Sequence, residues 1–238
     1  MLNGFAVGYY GKLLFHGCDF DVFPECQTLV REDGRTVTTS LYRSKRADLE
    51  VKNILVAHQG MQIIEKWLEV RNISHQGVEI TRLDSMHGIL PEDKYRLRYF
   101  TSAWGTEFTL QDIPLEGTKI LEVTTGRSSH GTHPWFSLKG ESGSILTCAI
   151  AWSGNWIARF EPLAGGRYRA TGGLSDWEFH KLLAPGESME GVHIVYTHLL
   201  NGDLPDTAVE FGRWGRKYCY PRNVFSDSMP VEWNTWWP

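Results

Sequence analysis

From Phe5 to about Thr197 the chain is a succession of short β-branched or aromatic runs broken by Gly, Pro, Asp or Asn, and little in it repeats at helical spacing. The pattern predicts strands at Thr36–Tyr42, Leu49–Ala57, Met61–Arg71, Val78–Leu83, Tyr95–Thr101 and Lys119–Thr125, then at Ile145–Trp152, Trp156–Glu161, Tyr168–Thr171, Trp177–Leu182 and Val192–Thr197. Turn signals such as Asp33-Gly34, Gly165-Gly166 and Pro185-Gly186 separate them. So many strands at short spacing imply an all-β fold with two packed antiparallel sheets, a large sandwich. The absence of an internal repeat argues against a propeller.

The pattern changes at Asn201-Gly202-Asp203. From there Leu204, Ala208, Phe211, Gly215 and Tyr218 fall three or four apart, which predicts one helix over Asp203–Cys219 with those residues on one face. Asp203 suits the N-cap, Pro205 fits the first turn, Asp206 favours the positive end, and Arg213, Arg216 and Lys217 favour the negative end. Pro221 stops it. The run Met229 to Pro238 then places Trp233, Trp236 and Trp237 together, an apolar burden that points to packing against a continuation or, alternatively, to a last strand docked back into the sandwich.

Composition narrows the class. Of 238 residues, 42% are hydrophobic and 22% charged, as in ordinary globular proteins, and ten tryptophans are the outlier. A net charge of -4 without a long Lys/Arg block gives no footprint for a phosphate backbone, so nucleic acid is not an expected partner. No stretch reaches the roughly 20 apolar residues of a membrane span, and the opening MLNGFAVGYYGK lacks the regions of a signal peptide. The expectation is a cytoplasmic protein with no membrane contact. Cys18, Cys26, Cys148 and Cys219 lack metal-finger spacing and read as buried thiols rather than a disulfide framework. Asn72-Ile73-Ser74 is a formal glycosylation sequon, read as chance.

Self-contained chemistry is weakly signalled. Gly-x-Ser-x-Gly and phosphate-loop motifs are absent, and no cofactor is expected. His130 and His133 could put two imidazoles together as metal ligands, but their turn-rich loop offers no third ligand, so a hydrogen-bonding role that pins the loop is the expectation. Asp19 with Asp21, and Glu92 with Asp93, have the residue types of a glycosidase acid pair, yet such pairs are ordinarily just solvated. Arg43, Lys45 and Arg46 read as a solvated strand end. Trp67, Trp152 and Trp177 could stack on sugar rings, but their strand-like setting predicts core positions.

Three segments in order carry a resemblance. They are Tyr99-Phe100-Thr101-Ser102-Ala103-Trp104-Gly105-Thr106-Glu107-Phe108, Gly126-Arg127-Ser128-Ser129-His130-Gly131-Thr132-His133-Pro134-Trp135, and Ala151-Trp152-Ser153-Gly154-Asn155-Trp156-Ile157-Ala158. Together with the helix and Met229-Pro230-Val231-Glu232-Trp233-Asn234-Thr235-Trp236, they resemble the amino-terminal region of family 36 glycoside hydrolases of the α-galactosidase type. The resemblance implies a galactose mutarotase-like β-supersandwich over residues 1–200, a linker helix and loop over 201–228, and the first strand of a truncated (β/α)8 barrel over 229–238. It further implies a parent enzyme that hydrolyses terminal α-galactosides or oligosaccharides with retention and forms a homo-oligomer. Trp236 matches a first-strand tryptophan that lines the family's galactose pocket. The family's two catalytic aspartates would lie beyond Pro238, so the chain itself is expected to be inert. Trp237 stands where the family more often has an acidic residue, and Thr38 to Met61 lacks a match to the family's long amino-terminal loop. Two other readings remain: a self-standing carbohydrate-binding or interaction module, and a mutarotase-like epimerase using His130 or His133.

Overall fold

The computed structural model describes residues 2–11, 13–22, 27–31, 33–44, 46–225 and 228. The first half carries β1 Gly4–Tyr9, β2 Leu13–His16, β3 Phe20–Val22, β4 Gln27–Val30, β5 Arg35–Ser44, β6 Leu49–His58, β7 Ile64–Asn72, β8 Val78–Leu90 and β9 Tyr95–Ser102. The second carries β10 Thr109–Pro114, β11 Lys119–Val123, β12 Gly131–Gly140, β13 Ile145–Ala151, β14 Trp156–Pro162, β15 Tyr168–Leu174, β16 Lys181–Leu183, β17 Ser188–Glu190 and β18 His193–Leu199. Helix α1, Leu204–Trp214, runs directly into a π turn, Gly215–Cys219.

Among the described residues the strands form two antiparallel sheets. The first has the order β11-β14-β15-β8-β1-β2, with β16 also on β8. The second has the order β10-β9-β12-β13-β18-β7-β6-β5-β3, with β17 on β7 and β4 on β5. Period-two alternation turns one face of each strand inward: on β7, Lys66, Leu68 and Val70 are buried while Glu65, Trp67 and Glu69 are less so. The inward faces build two clusters, one containing Trp156, Phe136 and Phe160 and the other containing Phe5, Leu49 and Leu68. Lys66 reaches from the second sheet to the first, where its ammonium donates to the carbonyls of Gly4 (2.5 Å) and Ser85 (2.6 Å). Burial lowers its pKa to about 7, with Asp84 pulling the other way.

The all-β sandwich agrees with the sequence pattern, and most predicted strands stand within two or three residues of their expected bounds. The strand predicted at Val78–Leu83 runs on to Leu90. The strand predicted at Trp177–Leu182 is displaced: Trp177 lies in a loop and the strand is Lys181–Leu183. The segment read as a turn-rich loop around His133 is β12, whose register slips between Thr132 and Phe136, around Pro134. Proline cannot donate to the ladder, and a bulge accommodates it.

The predicted helix is present, with Asp203 as N-cap: its carboxylate accepts from the Leu204 amide (2.8 Å), and Asp206 accepts from the Asp203 amide (2.8 Å). Its buried face differs by one position, because Ala208 is exposed and Thr207 is fully buried. The sheet beneath is polar here, and the Thr147 hydroxyl donates to Thr207 Oγ1 (3.0 Å), a partner alanine could not provide. Cys148 is buried as expected, but Cys18 and Cys219 are exposed free thiols; Cys26 lies outside the described residues. Asn72 of the sequon is buried, its amide donating to the carbonyls of Gln76 (2.6 Å) and Leu183 (2.9 Å), which leaves no access for a glycan.

Candidate functional site

One end of the sandwich gathers all three motif segments. The β9–β10 turn carries residues 103–108, the β11–β12 connection carries 124–130, and the β13–β14 connection carries 152–155. Ladder register brings them together: Gly131 pairs with Ser102, and Val123 pairs with Trp156. A fourth connection, residues 175–180 after β15, joins them because Leu174 also pairs with Trp156.

These loops are braced to one another. Asn155 Oδ1 accepts from the Gly126 amide (2.6 Å), and the Asn155 carbonyl accepts from the Ser175 amide (3.2 Å). The fully buried Trp156 donates its indole N–H to the Ser128 carbonyl (2.6 Å). Within the second loop, His130 Nδ1 and Thr125 Oγ1 are 3.1 Å apart, so His130 pins the loop as the sequence suggested. A side chain at Gly154 would place its Cβ 2.8 Å from the Trp152 indole nitrogen, so glycine leaves that ring its room.

Beneath the fourth loop lies a charged group that sequence reading missed. Arg159 on β14 bonds Asp176, and it stands 3.9 Å from the fully buried Asp84, which also takes two hydrogen bonds from Arg82 (2.6 and 2.9 Å). Burial raises the Asp84 pKa, and Arg82 and Arg159 oppose that shift. The i, i+2 spacing of Arg82 and Asp84 on one strand was a legible signal for the pair; Asp176 and Arg159 meet only through the fold.

Despite this bracing, the loop end leaves large aromatic side chains in water: Trp104 is 95% exposed, Phe108 67%, Trp177 53% and Trp152 43%. Phe108 stacks on His133 with ring centroids 4.2 Å apart, and Phe100 touches Trp135 at 5.4 Å. Phe108 (φ 57°) and Glu178 (φ 52°) hold the left-handed conformation that costs a side-chain-bearing residue energy. The core reading of Trp152 and Trp177 is therefore overturned: both follow or precede a strand rather than lying inside it. Trp67, also expected in the core, is half-buried on the outer face of β7, stacked on His193 at 4.2 Å.

The remaining candidates are dispersed. Asp19 accepts from the His16 amide (2.9 Å), and Asp93 accepts from the Ser142 hydroxyl (2.6 Å), which helps hold its pKa down against burial. Asp93 is thereby kept ionised rather than poised as a proton donor. Arg43 pairs with Glu50 (3.0 Å) at a strand end, and Lys45 lies outside the described residues. Trp236, Trp237 and the expected barrel strand also lie outside them. Among the described residues no group of three or more His, Cys, Asp or Glu side chains is arranged to hold a metal. No described helix is long and apolar enough to cross a membrane.

Comparison with known proteins bears on this loop end, since it carries the segments first read as family-like. The α-galactosidase AgaA of Geobacillus stearothermophilus is 27% identical over 198 residues, covering 79% of this chain and 26% of that protein. The α-galactosidase Mel36A of Lactobacillus acidophilus is 21% identical over 186 residues, covering 76% of this chain and 25% of that protein. The chain thus spans about a quarter of the length of these relatives. A crystal structure of an AgaA variant in complex with raffinose superposes with a TM-score of 0.80 at 21% identity, over 94% of this chain and 33% of that one. The α-galactosidase of Lactobacillus brevis superposes with a TM-score of 0.77 at 17% identity, over 90% of this chain and 31% of that one. These superpositions show that the fold is shared. Residues 21–184, well over half of the chain, match the glycosyl hydrolase family 36 N-terminal domain, and the chain belongs to that family.

Proposed function

We propose that this chain is the non-catalytic amino-terminal domain of a retaining α-galactosidase acting on terminal α-galactosides, and that its motif-bearing loop end packs against the catalytic part of that enzyme. The observation that carries the reading is the contrast within this end: loops tied by Asn155, Trp156 and Arg159 leave Trp152 and Trp177 in water, and the 103–108 turn, stacked on β12 through Phe108 and His133, does the same with Trp104 and Phe108. Such an apolar, pre-ordered surface suits a protein partner. The family membership and the quarter-length coverage of two α-galactosidases support the remainder of such an enzyme as that partner. Trp236 is assigned to the galactose pocket, the substrate to the raffinose and stachyose class with which AgaA variants were crystallised, and the setting to a cytoplasmic homo-oligomer.

The domain's part in this scheme is structural. One member of each acid pair, Asp19 and Asp93, holds a turn, and the histidines at the loop end pin or stack. Incubating the 238-residue chain with an aryl α-galactoside is expected to give no turnover. Activity that survives rigorous purification and is lost on replacing Asp93 or Asp19 would overturn the assignment. Titration with raffinose is expected to give no heat; binding abolished by Trp104→Ala would instead establish the self-standing carbohydrate module.

A further inference from the structure

Helix α1 meets the second sheet through a buried histidine that belongs to none of the motif loops. His58, the last residue of β6, has its Nε2 3.2 Å from the indole nitrogen of Trp214. An indole N–H can only donate, so Nε2 is the acceptor and the ring is neutral, with its proton on Nδ1. That Nδ1 is buried and has no hydrogen-bond partner among the described residues. The Tyr218 ring lies 4.5 Å away in the π turn, so α1 and the turn close over the imidazole.

We propose that His58 is an acid-sensitive latch for the carboxy-terminal half of α1: protonation at Nε2 converts the acceptor of Trp214 into a donor and releases that half of the helix from the sheet. The transferred species is a solvent proton, and no covalent bond changes. Once protonated, Nε2 has another partner available in Glu65 on β7, whose carboxylate stands 3.9 Å away. Glu65 is itself held by His193 Nδ1 on β18 (2.8 Å), whose Nε2 meets Glu190 on β17 (3.0 Å). The other charges that bear on the ring are Arg35 and Asp33, at the start of β5, and Lys217 in the π turn.

Burial leads the effects that keep the neutral imidazole below its ordinary range, and Arg35 and Lys217 act with it against Glu65 and Asp33. The docked state therefore binds fewer protons than the undocked one. Docking is complete above the free imidazole pKa of about 6.5 and weakens as pH falls, by up to about tenfold per pH unit until the lowered pKa is passed. Arg213, which donates to the Gly60 carbonyl (3.3 Å), lies in the half that loosens, and Tyr218, which donates to the Asp33 carbonyl (3.1 Å), lies in the π turn that follows it. The other end is anchored by the Thr147–Thr207 bond and by Arg98, which donates to the Asp203 carboxylate (2.8 Å).

Hydrogen exchange of the 204–219 segment in the full chain, corrected for intrinsic pH dependence, tests this between pH 7.5 and pH 5. Protection of its second half is expected to stay flat down to about pH 6.5 and then fall, while the Asp206 and Thr207 amides, bonded to the Asp203 carbonyl, keep theirs. His58→Gln retains an acceptor for Trp214 but cannot titrate, and is expected to abolish the fall. A flat wild-type profile, or an equal fall in His58→Gln, overturns the proposal. In the wild type alone, the Trp214 indole N–H resonance is expected to broaden with the same midpoint as the His58 ring titration, and separate midpoints overturn it equally.

Discussion

The outer face of the second sheet under α1 and the loop end treat aromatic side chains in opposite ways. Under α1 the Trp214 indole is half-buried with its N–H on His58, and the Tyr218 hydroxyl reaches the Asp33 carbonyl. At the loop end Trp104 stands 95% exposed, with no ring partner among the described residues, although the neighbouring loops are tied together by Asn155 and Trp156. Exposure here does not signal a loose segment. The difference teaches that order and cover are separate properties: the helix supplies cover to one apolar surface, and a partner domain is the cover proposed for the other.

The sharpest way to break this comparison is to remove one indole from each side of the loop end. Trp156→Ala would empty a fully buried site and orphan the Ser128 carbonyl, and is expected to destabilise by about 3 to 5 kcal/mol. Trp104→Ala is expected to change stability by no more than about 0.5 kcal/mol in this chain, while weakening association with the catalytic part in a full-length enzyme. Urea denaturation of both variants checks the pair. A large loss for Trp104→Ala would mean that its ring packs within the domain and that no outside cover is needed.

A second test separates the covered core from both surfaces. Lys66 carries a pKa of about 7 against an ordinary 10.5, so between those values the unfolded chain binds the extra proton and stability rises with pH. From pH 7 to pH 9 the gain is expected to be about 2 kcal/mol, and Lys66→Met should remove that slope. The carbonyls of Gly4 and Ser85 would lose their donor in the variant, so its stability at any one pH is less informative than the slope. Denaturation midpoints at several pH values give the answer; equal slopes in the two proteins would place Lys66 in contact with water.

Much of this was legible in the chain because alternation and turn residues are local signals. The β5 to β7 strands follow from runs such as Thr36–Tyr42 and Leu49–Ala57, and the helix follows from Asp203 and its spacing. The motif segments were likewise readable, but their meeting at one end was not, since Gly126 and Asn155 are joined by a side-chain hydrogen bond across 29 positions. The tryptophans misled because a strand-like pattern says which residues alternate and not where the strand stops: Trp152 follows Ala151, the last residue of β13. Lys66, His58 and Arg159 were invisible for a related reason. Their character comes from burial and from partners on other strands, whereas in sequence they are ordinary polar residues in alternating runs.

The smallest effect concerns the two strained residues of the loop end, Phe108 and Glu178. Glycine adopts their backbone conformation without the side-chain penalty of about 1 to 2 kcal/mol, but loses roughly 0.5 to 1 kcal/mol more conformational entropy on folding. Glu178 is exposed, so Glu178→Gly is expected to stabilise by about 0.5 kcal/mol. Phe108→Gly gains the same relief but gives up the His133 stack at 4.2 Å, so its net change should fall near zero. The difference between the two variants measures what the stack contributes while the aromatic surface is still in water. If Phe108→Gly stabilised as much as Glu178→Gly, the ring would add nothing to this domain by itself, and its place at the surface would answer wholly to the partner.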